Sequence, residues 1–319
     1  MHETRFKSIS IYLRRREGMA LKLAVVGSIN IDQTVVADRI PNKGETLPGH
    51  SLKYIPGGKG ANQAVAMSRL GGAVTMFGCV GDDENGKKMT DNLRANGVNT
   101  EFIRTVEGVP TGIAIITVGD NDNTIIVIAG ANAAVDRSYV DSIKDELLKQ
   151  DMVVLQHEIP LDTVHYIVEL CHENHIPVVL NPAPAAEVPA EIIEKVTWLT
   201  PNEHEAALIF GTEKSTEELL KAYPEKLLIT QGSRGVSVGL SSGEVLNVPV
   251  RPAKVVDTTG AGDTLNGAFC VRIAMGDSVS QALRYANTAA SLSTEKFGAQ
   301  NGMPTDRDVI NALEKEGSR

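Results

Sequence analysis

The sequence predicts an α/β fold: a mostly parallel sheet covered by helices on both faces, three layers in all, with a small second sheet beside it as a lid. Three observations carry this. Short apolar runs alternate along the chain with amphipathic stretches, the pattern of strands and covering helices. The runs are apolar at consecutive positions, as strands buried on both faces require. Two stretches break the rhythm with turn-rich, alternating character.

Taken in order, residues 23–26, 74–80, 152–155, 178–180, 198–200 and 226–230 read as buried strands, each closed by Gly, Pro or Asn. Helical stripes lie between them at residues 61–70, 86–96, 138–149, 161–174, 190–195 and 203–210. The first interruption, residues 32–54, carries Pro41, Gly44, Pro48 and Gly49 and no helical stripe. In the second, residues 111–118 and 124–129 are joined by Gly119-Asp120-Asn121-Asp122-Asn123, a turn signal that predicts a β-hairpin. Lid strands are therefore expected from about residues 32–56 and 102–129, and such a flap would shut over a ligand and exclude water. The polar, basic residues 1–18, with Arg14, Arg15 and Arg16 in a row, read as a disordered extension, the folded domain running from 19 to 319.

Composition excludes several classes. The formal net charge of −9 lacks the basic face a nucleic-acid binder needs to displace counterions. Cys79, Cys171 and Cys270 show neither zinc spacing nor a disulfide framework, which points to a reducing cytoplasm. The longest apolar stretches, residues 113–118 and 125–129, are too short to span a bilayer.

The strongest chemical signal is DTTGAGDTLNG at residues 257–267. Gly260, Ala261 and Gly262 lead into a helical stretch near Asp263, where unpaired amides and the helix dipole favour an anion. Asp263 reads either as an ordinary N-cap or as a base. A carboxylate beside an anion hole is the pair that phosphoryl transfer to an alcohol needs. The glycine cluster GGKGANQA at residues 57–64 lacks P-loop spacing. It reads as a loop-to-helix corner or as a grip on vicinal hydroxyls by Lys59 and Asn62. In GSINID, residues 27–32, Asn30 and Asp32 alternate with Ile29 and Ile31, so both face one way at a strand end. Surface turn and sugar site both remain open for that pair. Glu158, Asn181-Pro182-Ala183-Pro184, and Asn202 with Glu205 follow further strands and present polar groups at the same sheet edge. Glu158 and Glu205 there could orient a hydroxyl or hold waters on Mg²⁺. His157 and His204 receive no role. After the last apolar run, Thr230-Gln231-Gly232-Ser233-Arg234-Gly235 reads as a hairpin turn or a phosphate-lining segment.

Together these segments resemble the PfkB, or ribokinase-like, family of carbohydrate kinases, from about residue 21 to the end. GGKGANQA and DTTGAGDTLNG look like its two signatures. With GSINID and NPAP, the pattern is similar to the ribose-directed branch more than to fructokinases or adenosine kinases. The resemblance implies ATP-dependent phosphorylation of D-ribose at its 5-hydroxyl, with Asp263 as base and Gly260, Ala261 and Gly262 as anion hole. Asn30, Asp32, Gly58, Lys59, Asn62 and Glu158 would hold ribose. Asn202 and Glu205 match an N-x-x-E element that organises Mg²⁺ and phosphate. Thr230, Gly232, Ser233 and Gly235 would line ATP, with Asn287 near adenine. Activation by K⁺ is implied as well, with Asp257 and Thr259 on one side of the ion and Ser293, Lys296, Gly298 and Gly302 on the other. A homodimer paired through the lid strands completes the implication. Fructose, 2-deoxyribose or adenosine as acceptor, or a sugar sensor without turnover, are the alternatives; an intact Asp263 speaks against the sensor. The missing glycine fingerprint disfavours a dehydrogenase.

Overall fold

The computed structural model describes residues 21–120 and 122–317, so the extension expected at 1–18 lies outside the described residues. In chain order the strands are β1 (Lys22–Val26), β2 (Asn30–Val36), β3 (Ser51–Gly57), β4 (Ala73–Gly81) and β5 (Ile103–Val106). Then follow β6 (Gly112–Gly119), β7 (Asp122–Ile128), β8 (Met152–Gln156), β9 (Val178–Asn181) and β10 (Trp198–Leu199). The series closes with β11 (Leu228–Thr230), β12 (Val236–Gly239) and β13 (Val245–Val248).

Six strands form the main sheet in the order β10-β9-β8-β1-β4-β5, with every paired neighbour parallel. The consecutive apolar runs are explained by β1. Leu23 and Val25 point into one core and Ala24 and Val26 into the other, all of them buried. The first core lies beneath the helices Lys59–Arg69, Ala261–Ala274 and Val279–Ser293. The second lies beneath Arg137–Leu147, Leu161–Glu173 and Ala190–Lys195. With roughly 1.5–3 kcal/mol for each Val, Leu or Ile fully buried, a strand facing two cores has no room for a polar position until it reaches its end. That is why the polar side chains of β8 and β9, Gln156 and Asn181, stand at the carboxyl ends of those strands.

The expected lid is a four-stranded sheet, β3-β2-β6-β7, whose hairpin joins β6 to β7 as the turn signal predicts. Two expectations need correction. Residues 103–106 are not in the lid: they form β5 on the edge of the main sheet, paired to β4. The run at residues 226–230 does not extend the main sheet as a full strand. It meets β10 and Asn202 only through single parallel bridges, and its ladder is antiparallel, to β12. That three-stranded sheet, β11-β12-β13, was not anticipated as a sheet.

Candidate active site

Four chain segments meet at the carboxyl edge of the main sheet. The turn 27–29 leaves β1 and crosses directly into β2, so Asn30 and Asp32 stand on the lid strand on one face, and β3 runs antiparallel beside them. Gly58, at φ +88°, turns β3 into the helix Lys59–Arg69. A Cβ there would lie 2.7 Å from the Asn30 amide nitrogen, so only glycine serves. Gly57 has a different reason: the Asp32 carboxyl fills the space a Cβ would take, 2.2 Å from its Oδ1.

Glu158 is held in place from two sides. The Ser28 hydroxyl donates to its Oε2 at 2.5 Å and the Lys59 amide at 3.0 Å. Asn132, after the lid hairpin, accepts the Ile29 amide at 2.9 Å and donates to Asn30 Oδ1 at 2.7 Å. Burial pushes the Asp32 carboxyl up to about 7, with the negative charges of Glu158 and Asp263 adding to it. Lys59 is the counter-ion of the group. Burial alone would lower its pKa, but Asp263, Glu158 and Glu205 outweigh that and raise it. Asp32, Glu158 and Asp263 thus gather three carboxyl groups around the single ammonium of Lys59.

Gly260 opens the helix Ala261–Ala274 at φ +78°, pressed against Ala299, whose Cα lies 2.9 Å from where a Cβ would sit. At Gly262 a Cβ would meet nothing within 4 Å, so that glycine leaves space rather than filling it. The Ala261 amide donates to the Thr258 carbonyl at 3.2 Å. Asp263 lies in the first turn, buried, and its two oxygens each accept an amide: Asn62 Nδ2 at 2.9 Å and Gln63 Nε2 at 3.0 Å. Asp263 therefore does not cap its helix with its side chain; Gly260 stands at the N-cap.

A compartment of about 130 Å³ joins Lys59, Asn202, Glu205, Gly260, Gly262 and Asp263. Beyond it a cavity of about 550 Å³ is lined by Thr230, Gly232, Ser233, Gly235, Gly262 and Asn287 among others. The two meet at Thr230 and Gly262. Asn202 and Glu205 form a reciprocal capping box: the Glu205 amide donates to Asn202 Oδ1 at 2.8 Å, and the Asn202 amide to Glu205 Oε2 at 2.8 Å. Burial raises the Glu205 pKa against that hydrogen bond and Lys59. Asn287 holds the cavity wall, donating to the Val248 carbonyl at 3.2 Å and the Pro249 carbonyl at 2.5 Å. Arg234 is paired with Glu203 rather than free for a ligand. His157 is buried with its pKa pushed down to about 4 by burial, hence neutral, and His204 is exposed.

Of the residues expected around K⁺, Asp257 meets Thr259 and Gly298, and Gly302 meets Ser293. Asp257 Oδ1 accepts the Thr259 amide at 2.9 Å and hydroxyl at 2.7 Å, and Oδ2 accepts the Gly298 amide at 2.8 Å. Gly302 packs so closely on the Ser293 carbonyl that a Cβ would come within 2.0 Å of it. Lys296 is exposed. The Asp257 carboxylate there already accepts two amides and a hydroxyl, and its oxygens are of the donor type a hard cation takes. Among the described residues no group of three or more His, Cys, Asp or Glu side chains could hold a metal by itself. The donors for Mg²⁺ would thus be few, as that ion prefers.

Residues 20–306 match the model of the pfkB family of carbohydrate kinases. The chain belongs to this family. Among curated PfkB relatives, it is 48% identical over 291 residues to the ribokinase of Bacillus subtilis, spanning 91% of this chain and 99% of that one. It is 46% identical over 296 residues to the ribokinase of Lactococcus lactis, spanning 92% and 97%. Among solved structures, the ribokinase of Arabidopsis thaliana complexed with ribose and ATP superposes with a TM-score of 0.84 at 32% identity, covering 93% of this chain and 99% of that one. The PfkB fold, a parallel sheet flanked by helices with a small second sheet beside it, is as the sequence predicts.

Sequence reasoning missed the amides behind this PfkB site: Gln63, Gln156, Asn132 and Gln300. All four are buried; Gln63 lies inside GGKGANQA and Gln156 opens the polar segment Gln156-His157-Glu158, yet neither is assigned a role from sequence. Asn132 follows the lid hairpin, and only tertiary pairing with Ile29 and Asn30 reveals it.

Proposed function

We propose that this protein transfers the γ-phosphoryl group of ATP to the 5-hydroxyl of D-ribose. The single observation that carries this is the placement of Asp263. Its carboxylate stands beside the carboxylate, amide and ammonium groups of Asp32, Asn62 and Lys59, with Glu158 next to them, and it lines a glycine-edged compartment that opens on a larger cavity. Close identity to two enzymes named ribokinase favours ribose among the possible acceptors.

An alcohol is far too weak an acid for a carboxylate to ionise beforehand. Asp263 instead aligns the hydroxyl and takes its proton late, as the oxygen bonds to phosphorus and the bond to the ADP oxygen breaks. Gly260, Ala261 and Gly262 would offer backbone amides to the transferring group, the Ala261 amide leaving its bond to Thr258 to do so. Lys59, near both Glu205 and Asp263, supplies positive charge at that junction. Thr230, Gly232, Ser233 and Gly235 would line ATP, with adenine near Asn287. Mg²⁺ supplies charge neutralisation on the phosphates when bound, and Asn202 and Glu205 would hold it, directly or through water. K⁺ would be held by Asp257, Thr259, Ser293, Lys296, Gly298 and Gly302, stiffening the loop against which Gly260 packs. Two copies would pair through the outer face of the lid, where Leu52, Tyr54, Ile115, Ile126 and Ile128 are exposed. No described helix is long and apolar enough to cross a membrane, and a cytoplasmic site of action accords with three free, buried cysteines.

The test is ADP release from Mg-ATP with ribose, fructose, 2-deoxyribose and adenosine, each in K⁺ and in Na⁺. Turnover fastest on ribose and stimulated by K⁺ is expected. Turnover on another acceptor alone would keep the mechanism and overturn the substrate, and no turnover on any would overturn the kinase.

A further inference from the structure

We propose that Gln63 is a positioning residue for Asp263, fixing the direction in which the carboxylate presents its lone pairs to the acceptor hydroxyl. This rests on the reading of Asp263 as the base.

Gln63 is completely buried, and its amide is fully engaged. Nε2 donates to Asp263 Oδ1 at 3.0 Å and to Asn181 Oδ1 at 3.1 Å, while Oε1 accepts from Gln156 Nε2 at 2.6 Å. The two ends of an amide have the same shape, so the neighbours decide which end faces which way. Here they leave no choice. Asn181 spends its own amide nitrogen on the Thr200 carbonyl at 3.0 Å, so its oxygen faces Gln63. Asp263 beside it is an acceptor as a carboxylate. Only the NH₂ end of Gln63 satisfies both, and Gln156 closes the arrangement from behind, itself completely buried at the end of β8.

The opposite oxygen of Asp263 is held in the same manner. Asn62 donates to it at 2.9 Å and is oriented by Gln300, which donates to Asn62 Oδ1 at 3.0 Å. Both bonds require the carboxylate as acceptor, so its plane is clamped at two points and the remaining lone pairs face the site. The two clamps are not equivalent. Asn62 belongs to the residues proposed to touch the sugar, whereas Gln63 lines neither the phosphate compartment nor the nucleotide cavity. Gln63 therefore reaches the site through Asp263 and, on its other side, through Asn181, which lines the compartment; a double variant separates the two routes. A carboxylate free to rotate would still be present and still be a base, but its lone pair would be aimed at the hydroxyl for only part of the time. The rate of the chemical step depends on that alignment, and sugar affinity does not.

The experiment compares Gln63→Leu, Gln63→Glu, Asp263→Asn and the double variant Gln63→Leu/Asp263→Asn, each checked for folding by thermal melting and ADP binding. Leucine removes the donor at similar size. Glutamate keeps the shape and the acceptor toward Gln156, but it offers Asp263 a donor only by taking up a proton, so the two carboxyls share one proton and Asp263 becomes a weaker, differently aimed base. Both single variants are expected to lose about 10–100-fold in kcat with ribose KM within about threefold of wild type. In the Asp263→Asn background, Gln63→Leu should add less than about twofold, because a residue acting through the base has nothing left to position. A loss of the same factor with and without Asp263, or one carried by KM, would show a merely structural glutamine and overturn the proposal. So would unchanged kcat in both single variants. If Gln63→Leu does not fold, Gln63→Glu takes its place in the cycle. Failure of the wild type to phosphorylate ribose would instead overturn the kinase reading, and the two failures are distinct.

Discussion

Asp263 and Asp32 are both carboxylates in one pocket, yet their surroundings set them different tasks. Asp263 accepts two amides, one at each oxygen. Replacing it with Asn keeps the shape but removes the proton acceptor, and a loss of about 10²–10⁴ in kcat is expected, the usual range for a general base. Steady-state rates on ribose check this, and near-normal turnover would sink the assignment. Asp32 is instead pushed up to about 7 by burial and by Glu158 and Asp263. A carboxyl whose folded pKa lies above its ordinary value of 3.8 favours the fold fully below that value. Its contribution is lost as pH rises through about 7. Asp32→Asn, which cannot ionise, should therefore gain stability relative to wild type between pH 4 and pH 8. The gain should be about 1–3 kcal/mol, below the full linkage value because Asp32 keeps some solvent access. Urea midpoints of both proteins at pH 5 and pH 8 measure it; a difference independent of pH would refute the shift. At this scale Asp263, Lys59 and Asn62 were legible because charged or amide groups beside glycines are rare enough to read. Gln63, Gln156, Asn132 and Gln300 were not, since a buried amide shows its use only through the partners the fold brings to it.

The elements deliver those side chains by close backbone approach. Strand β3 passes β2 so tightly at Gly57 that the Asp32 carboxyl occupies the missing Cβ position. Gly57→Ala should swing Asp32 away from Glu158 and Asp263, where it is proposed to hold sugar. A loss of about 10–100-fold in kcat/KM for ribose is expected, with ADP affinity unchanged because the nucleotide cavity lies on other segments. Isothermal titration with ADP beside ribose kinetics separates the two, and an unaltered ribose KM would show that Asp32 does not hold sugar. The N-x-x-E element carries two readings at once. From sequence it resembles a phosphate and Mg²⁺ element, and in the fold it is a capping box that starts the helix Glu203–Phe210. Strands and helices with clear periods were read to within a residue or two. The error over residues 103–106 arose because a short, half-buried edge strand next to a hairpin carries no signal of which sheet it joins.

Across the whole molecule, the parallel sheet is buried on both faces, whereas the lid exposes apolar side chains, on both faces of β7 and on the outer face of β3 and β6. Leu52, Tyr54, Ile115 and Ile126 share that outer face through the registers of β2 with β3 and β6, and of β6 with β7. Covering it with a second copy predicts a dimer in sedimentation and a monomer for Ile126→Glu, since a charge at a position 65% exposed in the single chain would be buried in the pair. A monomeric wild type would overturn the pairing. The sequence alone determined the α/β class, the lid hairpin, the two glycine signatures and the carboxylate at the helix start. Each of these is encoded locally, in hydrophobic period, turn chemistry or the conformational demand of glycine. Only the tertiary structure decided which sheet residues 103–106 and 226–230 join, that Asp32 lies across Gly57, and that Asp263 is clamped by amides from one neighbouring helix. Those arrangements depend on contacts between segments up to 238 residues apart, as between Gln300 and Asn62, and no local pattern records a partner at that distance.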